Sequence, residues 1–342
     1  MTSVAVVIPT YNRAGQISET IRSVLGQTLA PAEILVVDDG STDDTETACA
    51  AFAPRVQYER QANAGVSVAR NRGVEHTRSE LIAFVDSDDL WNSDKLAIQV
   101  AALESHPSCG WSITDCDVIT PDGDVVPSRR GFASVFGVFG AERASADDLF
   151  GRYLTPATIR AVGSDHKVWL GDAWLPLFLG NFVLPSSAIV RRKAFEGAGG
   201  FDPRLRVAED TEFFHRLSAA SPVAIVMEPL IRYRMGQSGS LSSAAHTEAM
   251  VCNALDSLRR ASTLRPPSPA GEHHFQTGQR RLLRKLAYLH LSQKDRRAAR
   301  NAVRELWAAG ARDSWSVGLY AATWVPDVGF TILHRLKRAL QR

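Results

Sequence analysis

Leu81-Ile82-Ala83-Phe84-Val85-Asp86-Ser87-Asp88-Asp89 is an apolar run that ends in three carboxylates within four residues. The run has the length and the β-branched and aromatic content of a buried strand, so the acids fall at its C-terminal mouth. Open α/β sheets bind their ligands there. Acids packed this closely repel one another unless they are solvated, paired or sharing a cation. Two readings stand at this point: a hard cation held by oxygen ligands beside a phosphorylated molecule, and an acidic turn capping the next helix.

The same rhythm extends upstream. Val4-Ala5-Val6-Val7-Ile8 reads as a first buried strand, broken at Pro9-Thr10-Tyr11-Asn12-Arg13. Ile17, Ile21, Val24 and Leu25 then recur at helical spacing. Glu33-Ile34-Leu35-Val36-Val37 is a second strand, ending in Asp38-Asp39-Gly40-Ser41-Thr42-Asp43, with a helix over about 45–52 behind it. Val56-Gln57-Tyr58-Glu59 is a weaker third strand, and Gly65 opens a helix through Val68, Ala69 and Gly73. Strand and helix alternate four times, which predicts βαβ units, a mostly parallel sheet and right-handed crossovers. Three strand tips, at Pro9-Thr10-Tyr11, Asp38-Asp39 and Asp86-Ser87-Asp88-Asp89, should then meet along one sheet edge.

Downstream, a helix over 91–103 offers Asp89 a role as its cap. Gly, Phe, Ala and Trp are scattered without clear period through 131–175, which suggests an insertion. Trp169 and Trp174 are read there as ligand-stacking rings or as buried core. Asn181-Phe182-Val183-Leu184-Pro185-Ser186-Ser187-Ala188-Ile189-Val190 reads as a strand returning to the sheet. A helix follows from Arg191, ending near Gly197–Gly200, and Glu209-Asp210 leads into another through Phe213, Phe214 and Leu217.

Composition narrows the class. Hydrophobic content of 45% and charged content of 22% are those of a soluble globular protein. The net charge of +2 hides a division: residues 275–342 hold fourteen Lys/Arg and four Asp/Glu, a local +10, against 25 and 33 elsewhere, a local −8. Cys49, Cys109, Cys116 and Cys252 form no CxxC pair and no zinc-ligand spacing, as expected of reduced thiols in a cytosolic protein. No basic segment precedes the first strand, so a signal peptide is not expected. The uncharged window 173–190 is interrupted by Pro176, Gly180, Asn181, Pro185, Ser186 and Ser187, which suits a buried loop and strand better than a membrane span. There is no GxGxxG after the first strand and no GxxxxGK[ST] anywhere, which removes the main support for dinucleotide-dehydrogenase and P-loop readings.

Val7-Ile8-Pro9-Thr10-Tyr11-Asn12-Arg13, Val36-Val37-Asp38-Asp39-Gly40-Ser41-Thr42-Asp43, Gly65-Val66-Ser67-Val68-Ala69-Arg70-Asn71-Arg72-Gly73 and Phe84-Val85-Asp86-Ser87-Asp88-Asp89 together resemble family 2 glycosyltransferases of the non-processive bacterial type. Gly199-Gly200-Phe201-Asp202 and Ala208-Glu209-Asp210-Thr211-Glu212-Phe213 resemble the family's second signature, so the likeness spans roughly 3–235. It implies an α/β fold of the GT-A type: a Rossmann-like, mostly parallel sheet flanked by helices, here with a C-terminal α-helical appendage. It also implies an inverting, metal-dependent transfer of one sugar from a nucleotide sugar, UDP-type favoured, to an acceptor hydroxyl in glycan, polysaccharide or glycolipid synthesis.

The resemblance assigns roles residue by residue. Pro9, Thr10, Tyr11, Arg13, Asp39, Arg70, Asp86 and Ser87 surround the nucleotide sugar. Asp39 accepts a hydrogen bond from the pyrimidine imide, and Pro9, Thr10 and Tyr11 wall the base and ribose. For Asp38, and less for Asp39, a cap of the following turn is the competing role. Arg70 lies near the nucleotide or is a solvated helix charge, while Asn71 and Gly73 pack the helix on the sheet. Asp88, with Asp86 beside it, holds Mg²⁺ or Mn²⁺, for which one or two protein carboxylates suffice. Asp210 is the general base, with Glu209 as the alternate and an N-cap as the structural alternative. Met235 and Gly236 follow Tyr233-Arg234 where many relatives place a histidine, so no histidine ligand is implied. The Gln-x-x-Arg-Trp element of processive synthases is absent, which implies one sugar per encounter.

The expected organisation is a catalytic domain over 1–240, with a nucleotide-binding half at about 1–105 and an acceptor half at about 106–240. A linker over 241–274, marked by Pro266-Pro267-Ser268-Pro269, leads to a basic helical tail over 275–342. Residues 315–342 mix Trp315, Trp324 and Phe330 with Arg335, Lys337 and Arg338, as in a helix lying on an anionic membrane surface or one docked on the domain. The expected partners are a nucleotide sugar and a glycan, lipid-linked or small-molecule acceptor, without nucleic acid. The expected place is the cytoplasm, with peripheral contact at the inner membrane face. The rival functions are a sugar-phosphate nucleotidyltransferase, which would carry a glycine-rich basic loop after the first strand, and a non-catalytic nucleotide-sugar-binding module.

Overall fold

The computed structural model describes residues 2–130, 150–236, 244–266 and 268–324. The first four long strands are β1 (Val4–Thr10), β2 (Glu33–Asp38), β3 (Gln57–Arg60) and β4 (Leu81–Phe84). They lie side by side, all parallel, in the order β3-β2-β1-β4. Helices α1 (Ile17–Leu25), α2 (Thr45–Ala50) and α3 (Val66–Glu75) make the crossovers. The remaining strands are β5 (Leu90–Trp91), β6 (Trp111–Ile119), β7 (Val125–Arg130), β8 (Leu154–Ala161), β9 (Ser164–Gly171), β10 (Ile189–Arg191) and β11 (Val223–Arg234). The sheet continues as β10-β6-β11-β9-β8, with β5 paired on β11 and β7 on β6. β10 runs antiparallel to β4, so the sheet is mixed beyond this point. This is the α/β architecture expected, a sheet that is parallel through its first four strands and mixed beyond them, with helices on its faces.

Buried parallel strands carry apolar residues on both faces, and each face needs its own cover. Val4, Val6, Ile8, Leu81 and Ala83 enter one core with Ile17, Ile21 and Leu96. Val7, Ile82 and Phe84 enter the other with Phe195, Phe201 and Phe213. The second core fixes how closely α3 approaches. A Cβ on Gly73 would stand 2.2 Å from Val7 Cγ1, and Val7 is a fully buried β-branched residue with no room to turn. Gly73→Val is therefore expected to lower stability by roughly 2–3 kcal/mol, in the upper part of the overpacking range. A urea midpoint equal to that of the parent would refute the close contact.

Several expectations need correction. The helix after the acidic turn is α4 (Lys95–Ser105), because Leu90 and Trp91 are drawn into β5. Asp89 is therefore no helix cap. Of the 181–190 stretch only Ile189 and Val190 enter a strand, which runs on to Arg191, since Pro185 begins a short 3-10 turn at Pro185–Ser187. Residues 154–171, within the stretch that lacked period, form the β8–β9 hairpin, followed by α5 (Trp174–Leu179). Trp169 and Trp174 are buried, so neither stacks on a sugar.

Two helices follow β10: α6 (Arg192–Ala198) and α7 (Glu209–Ala220). The expected linker over 241–274 instead contains α8 (Thr247–Ala261). α8 is tied to α7 by the His215–Ser257 hydrogen bond of 2.9 Å and to Val207 by Asn253. α9 (Pro269–Ser292) starts at the proline cluster, with Ser268 as N-cap accepting from Gly271 N–H. It lies so close to α5 that a Cβ on Gly278 would stand 2.0 Å from Phe178 O. α10 (Arg296–Ala308) and α11 (Ser314–Ala322) complete the tail around Ala287, Leu291, Ala302, Val303 and Leu319. The expectation for a surface helix over 315–342 falls largely outside the described residues. The four cysteines are free, three of them buried. Among the described residues no helix is long and apolar enough to cross a membrane.

Candidate active site

The parallel register sets Thr10 beside Asp38 and Val7 beside Phe84, so the tips of β1, β2 and β4 end together. Above them is a cavity of about 420 Å³. Every residue assigned from the sequence lines it: Pro9, Thr10, Tyr11, Arg13, Asp39, Arg70, Asp86, Ser87, Asp88, Glu209 and Asp210.

At one end the two acids at the tip of β2, Asp38 and Asp39, divide. Asp38 is consumed internally, accepting from Ser41 N–H (2.8 Å), the Ser41 hydroxyl (2.6 Å) and the Tyr58 hydroxyl (2.5 Å). Asp39 accepts from Gln61 Nε2 (2.8 Å), Ala64 N–H (2.7 Å) and Gly65 N–H (2.8 Å). A carboxylate offers about four acceptor directions, so Asp39 is held rigidly with one left for a ligand N–H. Beside it the buried Thr10 hydroxyl has no partner among the described residues. A polar atom left this way at a cavity wall is a place for a ligand hydrogen bond.

At the other end two acids meet two arginines. Asp86 accepts from Arg70 Nη2 at 2.7 Å, and Asp88 lies 3.4 Å from Arg13 Nε. Burial, and then the neighbouring Asp86, push the Asp88 carboxyl above its ordinary range against the pull of Arg13. Asp89 faces away, fully buried, accepting from the Ser186 hydroxyl (2.5 Å) and Arg234 N–H (3.0 Å). It ties the turn after β4 to β11, a tertiary role in place of the capping one expected.

Arg70 is a buried ion-pair hub and not a solvated helix charge. Only 2% exposed, it reaches Asp86 with Nη2 and Glu209 with Nη1 at 2.8 Å, with its guanidinium 5.0 Å from the Phe201 ring. Asn71 clamps the same region, exchanging two hydrogen bonds with the Phe201 backbone, where helix packing alone was expected. Glu209 and Asp210 open α7 directly after Ala208, which is held at φ 58°. Such left-handed strain in a non-glycine residue concentrates at functional sites. Burial drives the Glu209 carboxyl up to about 7, with Arg70 opposing and Asp210 adding to the rise. Asp210 is also raised, by burial first. Its Oδ1 accepts from Thr211 N–H (2.6 Å) and its Oδ2 from Asn181 Nδ2 (3.0 Å), which fixes the carboxylate at the cavity wall.

The cavity contains residues that sequence reasoning did not place. Asn63, Arg206 and Met250 line it, Met250 from the helix expected to be linker. Arg234, singled out only within a resemblance, sends Nε to Asp88 O, Nη1 to Pro121 O and Nη2 to Glu19. Asn181 positions Asp210 without any motif to mark it. Residues 237–243, which follow Gly236, lie outside the described residues.

The donors present fit a hard divalent cation. Asp86 and Asp88 flank one residue of a tight turn, closed by Asp89 N–H to Asp86 O, and face one cavity. Their mutual repulsion is the strain a cation relieves. Among the described residues no group of three or more His, Cys, Asp or Glu is poised for a metal, so a ligand's oxygens would complete the shell.

Residues 5–130 match the glycosyl transferase family 2. An uncharacterized glycosyltransferase of Rickettsia typhi is 33% identical over 241 residues, which is 70% of this chain and 66% of the relative. One of Rickettsia conorii is 44% identical over 107 residues, 31% of this chain and 18% of the relative. TuaG of Bacillus subtilis, named a putative teichuronic acid biosynthesis glycosyltransferase, is 35% identical over 130 residues, 35% of this chain and 49% of the relative. The chain thus spans less than half the length of the last two relatives. The structure of S. aureus TarS 1–349 in complex with UDP-GlcNAc is similar at a TM-score of 0.59 and 17% identity, over 99% of this chain and 88% of that one. That likeness is one of fold.

Proposed function

We propose, from a chain that belongs to glycosyl transferase family 2 through residues 5–130, that this protein moves one sugar from a UDP-type nucleotide sugar to an acceptor hydroxyl with inversion at the anomeric carbon. One observation carries the reading: Asp39, the Asp86–Asp88 pair and the Glu209–Asp210 pair, from three distant stretches of chain, line one cavity at the strand ends. The ligands of the TarS complexes, UDP and UDP-GlcNAc, support the choice of nucleotide. A glycine-rich basic loop, which a nucleotidyltransferase would need, has no counterpart at Tyr11-Asn12-Arg13.

In this reading the free acceptor direction of Asp39 faces the imide N–H of the base, a charge-assisted pair. The Thr10 hydroxyl meets the nucleoside, and Arg13 lies at the diphosphate. Asp210 takes the proton from the acceptor hydroxyl. The acceptor oxygen then attacks the anomeric carbon in line, and the bond to the diphosphate breaks with its electron pair leaving on the nucleotide. Mg²⁺ or Mn²⁺ held by Asp88, with Asp86 beside it, supplies neutralisation of the charge on that leaving group. The acceptor is a glycan, a lipid-linked sugar or a small molecule, and the setting is the cytoplasm with peripheral contact at the inner membrane face. Glycan, polysaccharide or glycolipid synthesis is the pathway class.

A thermal-shift series with UDP, GDP and dTDP, each with and without Mn²⁺, tests the donor. UDP with Mn²⁺ is expected to raise the midpoint by several degrees, the effect of a ligand at about a hundred times its Kd. Asp88→Ala should lose the Mn²⁺-dependent part and keep the remainder. No shift from any nucleotide would remove the reading.

A further inference from the structure

The tail has a face that the catalytic reading does not use. α10 turns Ala299, Ala302, Val303 and Leu306 into the tail core. Arg296, Arg297, Arg300 and Arg304 follow at i, i+1, i+4 and i+8, so they share a sector of about 100° on the other side of the helix. The end of α11 lies against them. Arg300 stands 4.3 Å over the Trp324 ring and donates to Thr323 O, while Arg304 stands over Tyr320 and donates to its hydroxyl at 3.3 Å. Trp324 is 62% exposed and Val317 46%, so apolar surface borders the basic stripe.

The charge of this face is unmatched. Residues 269–324 hold ten Lys/Arg and four Asp/Glu, a net +6. All four acids are engaged: Glu272 accepts from Gln276, Asp295 caps α10, Glu305 meets Arg259 and Asp313 meets Arg284. Among the described residues no carboxylate pairs with the four arginines. Residues 325–342 carry four further basic residues and one acid, so the rest of the chain adds charge of the same sign. Among the described residues that complement is absent, and an outside partner has to suit both arginines and an exposed tryptophan. A soluble polyanion would meet the arginines and leave Trp324 and Val317 in water. An anionic bilayer meets both, with guanidinium groups at the phosphates and the indole at the headgroup boundary.

We infer that the α10–α11 face docks on an anionic lipid surface through Arg297, Arg300, Arg304 and Trp324. This gives a surface to the peripheral membrane contact proposed above and rests on it, but does not depend on sugar transfer: none of these side chains lines the cavity.

The test is co-sedimentation of the full chain with vesicles of phosphatidylglycerol and phosphatidylcholine in equal parts, and with phosphatidylcholine alone. Binding is expected to the first, weakening as salt rises, and not to the second. The double variant R297Q/R304Q, at two exposed positions, should bind roughly 30-fold more weakly, from the usual contribution of each basic residue near such a surface. Trp324→Ala should weaken vesicle binding and leave binding to heparin unchanged. Equal binding to both vesicles, or unchanged binding by the double variant, would overturn the inference. So would stronger retention on heparin or DNA than on vesicles. UDP binding measured on the same samples keeps the two proposals separate, since loss of either leaves the other standing.

Discussion

Asp210→Asn is expected to lower turnover by roughly 10²–10⁴-fold while nucleotide binding stays close to that of the parent. The amide keeps the shape of the side chain and can still accept from Thr211 N–H, so α7 begins as before. What it loses is the ability to take a proton. Because burial raises the Asp210 carboxyl and only its ionised form can act as a base, the acid limb of the rate profile is expected above the ordinary carboxylate range. Lowering the pH through that limb should then abolish turnover. The neighbouring carboxyl supplies the control. Glu209 is driven up to about 7, by burial against the pull of Arg70. Were it the base, the limb would lie near pH 7 and would vanish in Glu209→Gln. Initial rates of the two variants across pH 5–9 separate the assignments, and full activity in Asp210→Asn would end the present one.

The parts of the site that were legible are those where sequence order and spatial order coincide. Parallel strands buried on both faces must be written as continuous apolar runs, so 4–8, 33–37 and 81–85 stood out, and polar residues that break such runs sit at their ends. Asp39, Asp86, Asp88 and the neighbours of Tyr11 followed from that alone. Asp89 did not. It reads like its neighbours, and only the fold reveals that it turns inward to Ser186, 97 residues away. Asn181 reaches Asp210 from an irregular segment, and Met250 reaches the cavity from a helix expected to be linker. A polar stretch with one proline cluster has no period strong enough to say whether it packs. The role of Arg70 was half legible. A basic residue near the nucleotide was expected, but its two acidic partners lie 16 and 139 positions away.

Those two partners make Arg70→Met the substitution with the largest expected effect on stability. The guanidinium is the shared counter-charge of Asp86 and Glu209, and it is nearly sealed from solvent. Methionine fills most of the volume beside Phe201 and removes the charge, so Asp86 and Glu209 lose their shared counter-charge. Breaking a buried pair in this way costs about 3–5 kcal/mol, more than the pair itself contributes, because the remaining charges stay desolvated. The loss must depend on pH, and its sign is fixed. Burial already holds Glu209 above its unfolded value of 4.5, and Arg70 is what restrains the rise. Without Arg70 the folded-state value climbs further, so across the window from 4.5 upward the folded protein binds more protons than the unfolded chain. Stability then falls as pH rises through that window. Urea unfolding of Arg70→Met should therefore show a deficit against the parent that is larger at pH 8 than at pH 5.5. A deficit independent of pH would mean that lost packing on Phe201, rather than the bridge between the two acids, is what Arg70 supplies. Turnover supplies the second readout. If the bridge also sets the distance between the Asp86–Asp88 end and the Glu209–Asp210 end, Arg70→Met loses kcat even at pH 5.5, where the fold is least disturbed. Arg70→Lys, which restores one charge but cannot reach both carboxylates with a fork, should recover part of the stability and little of the rate.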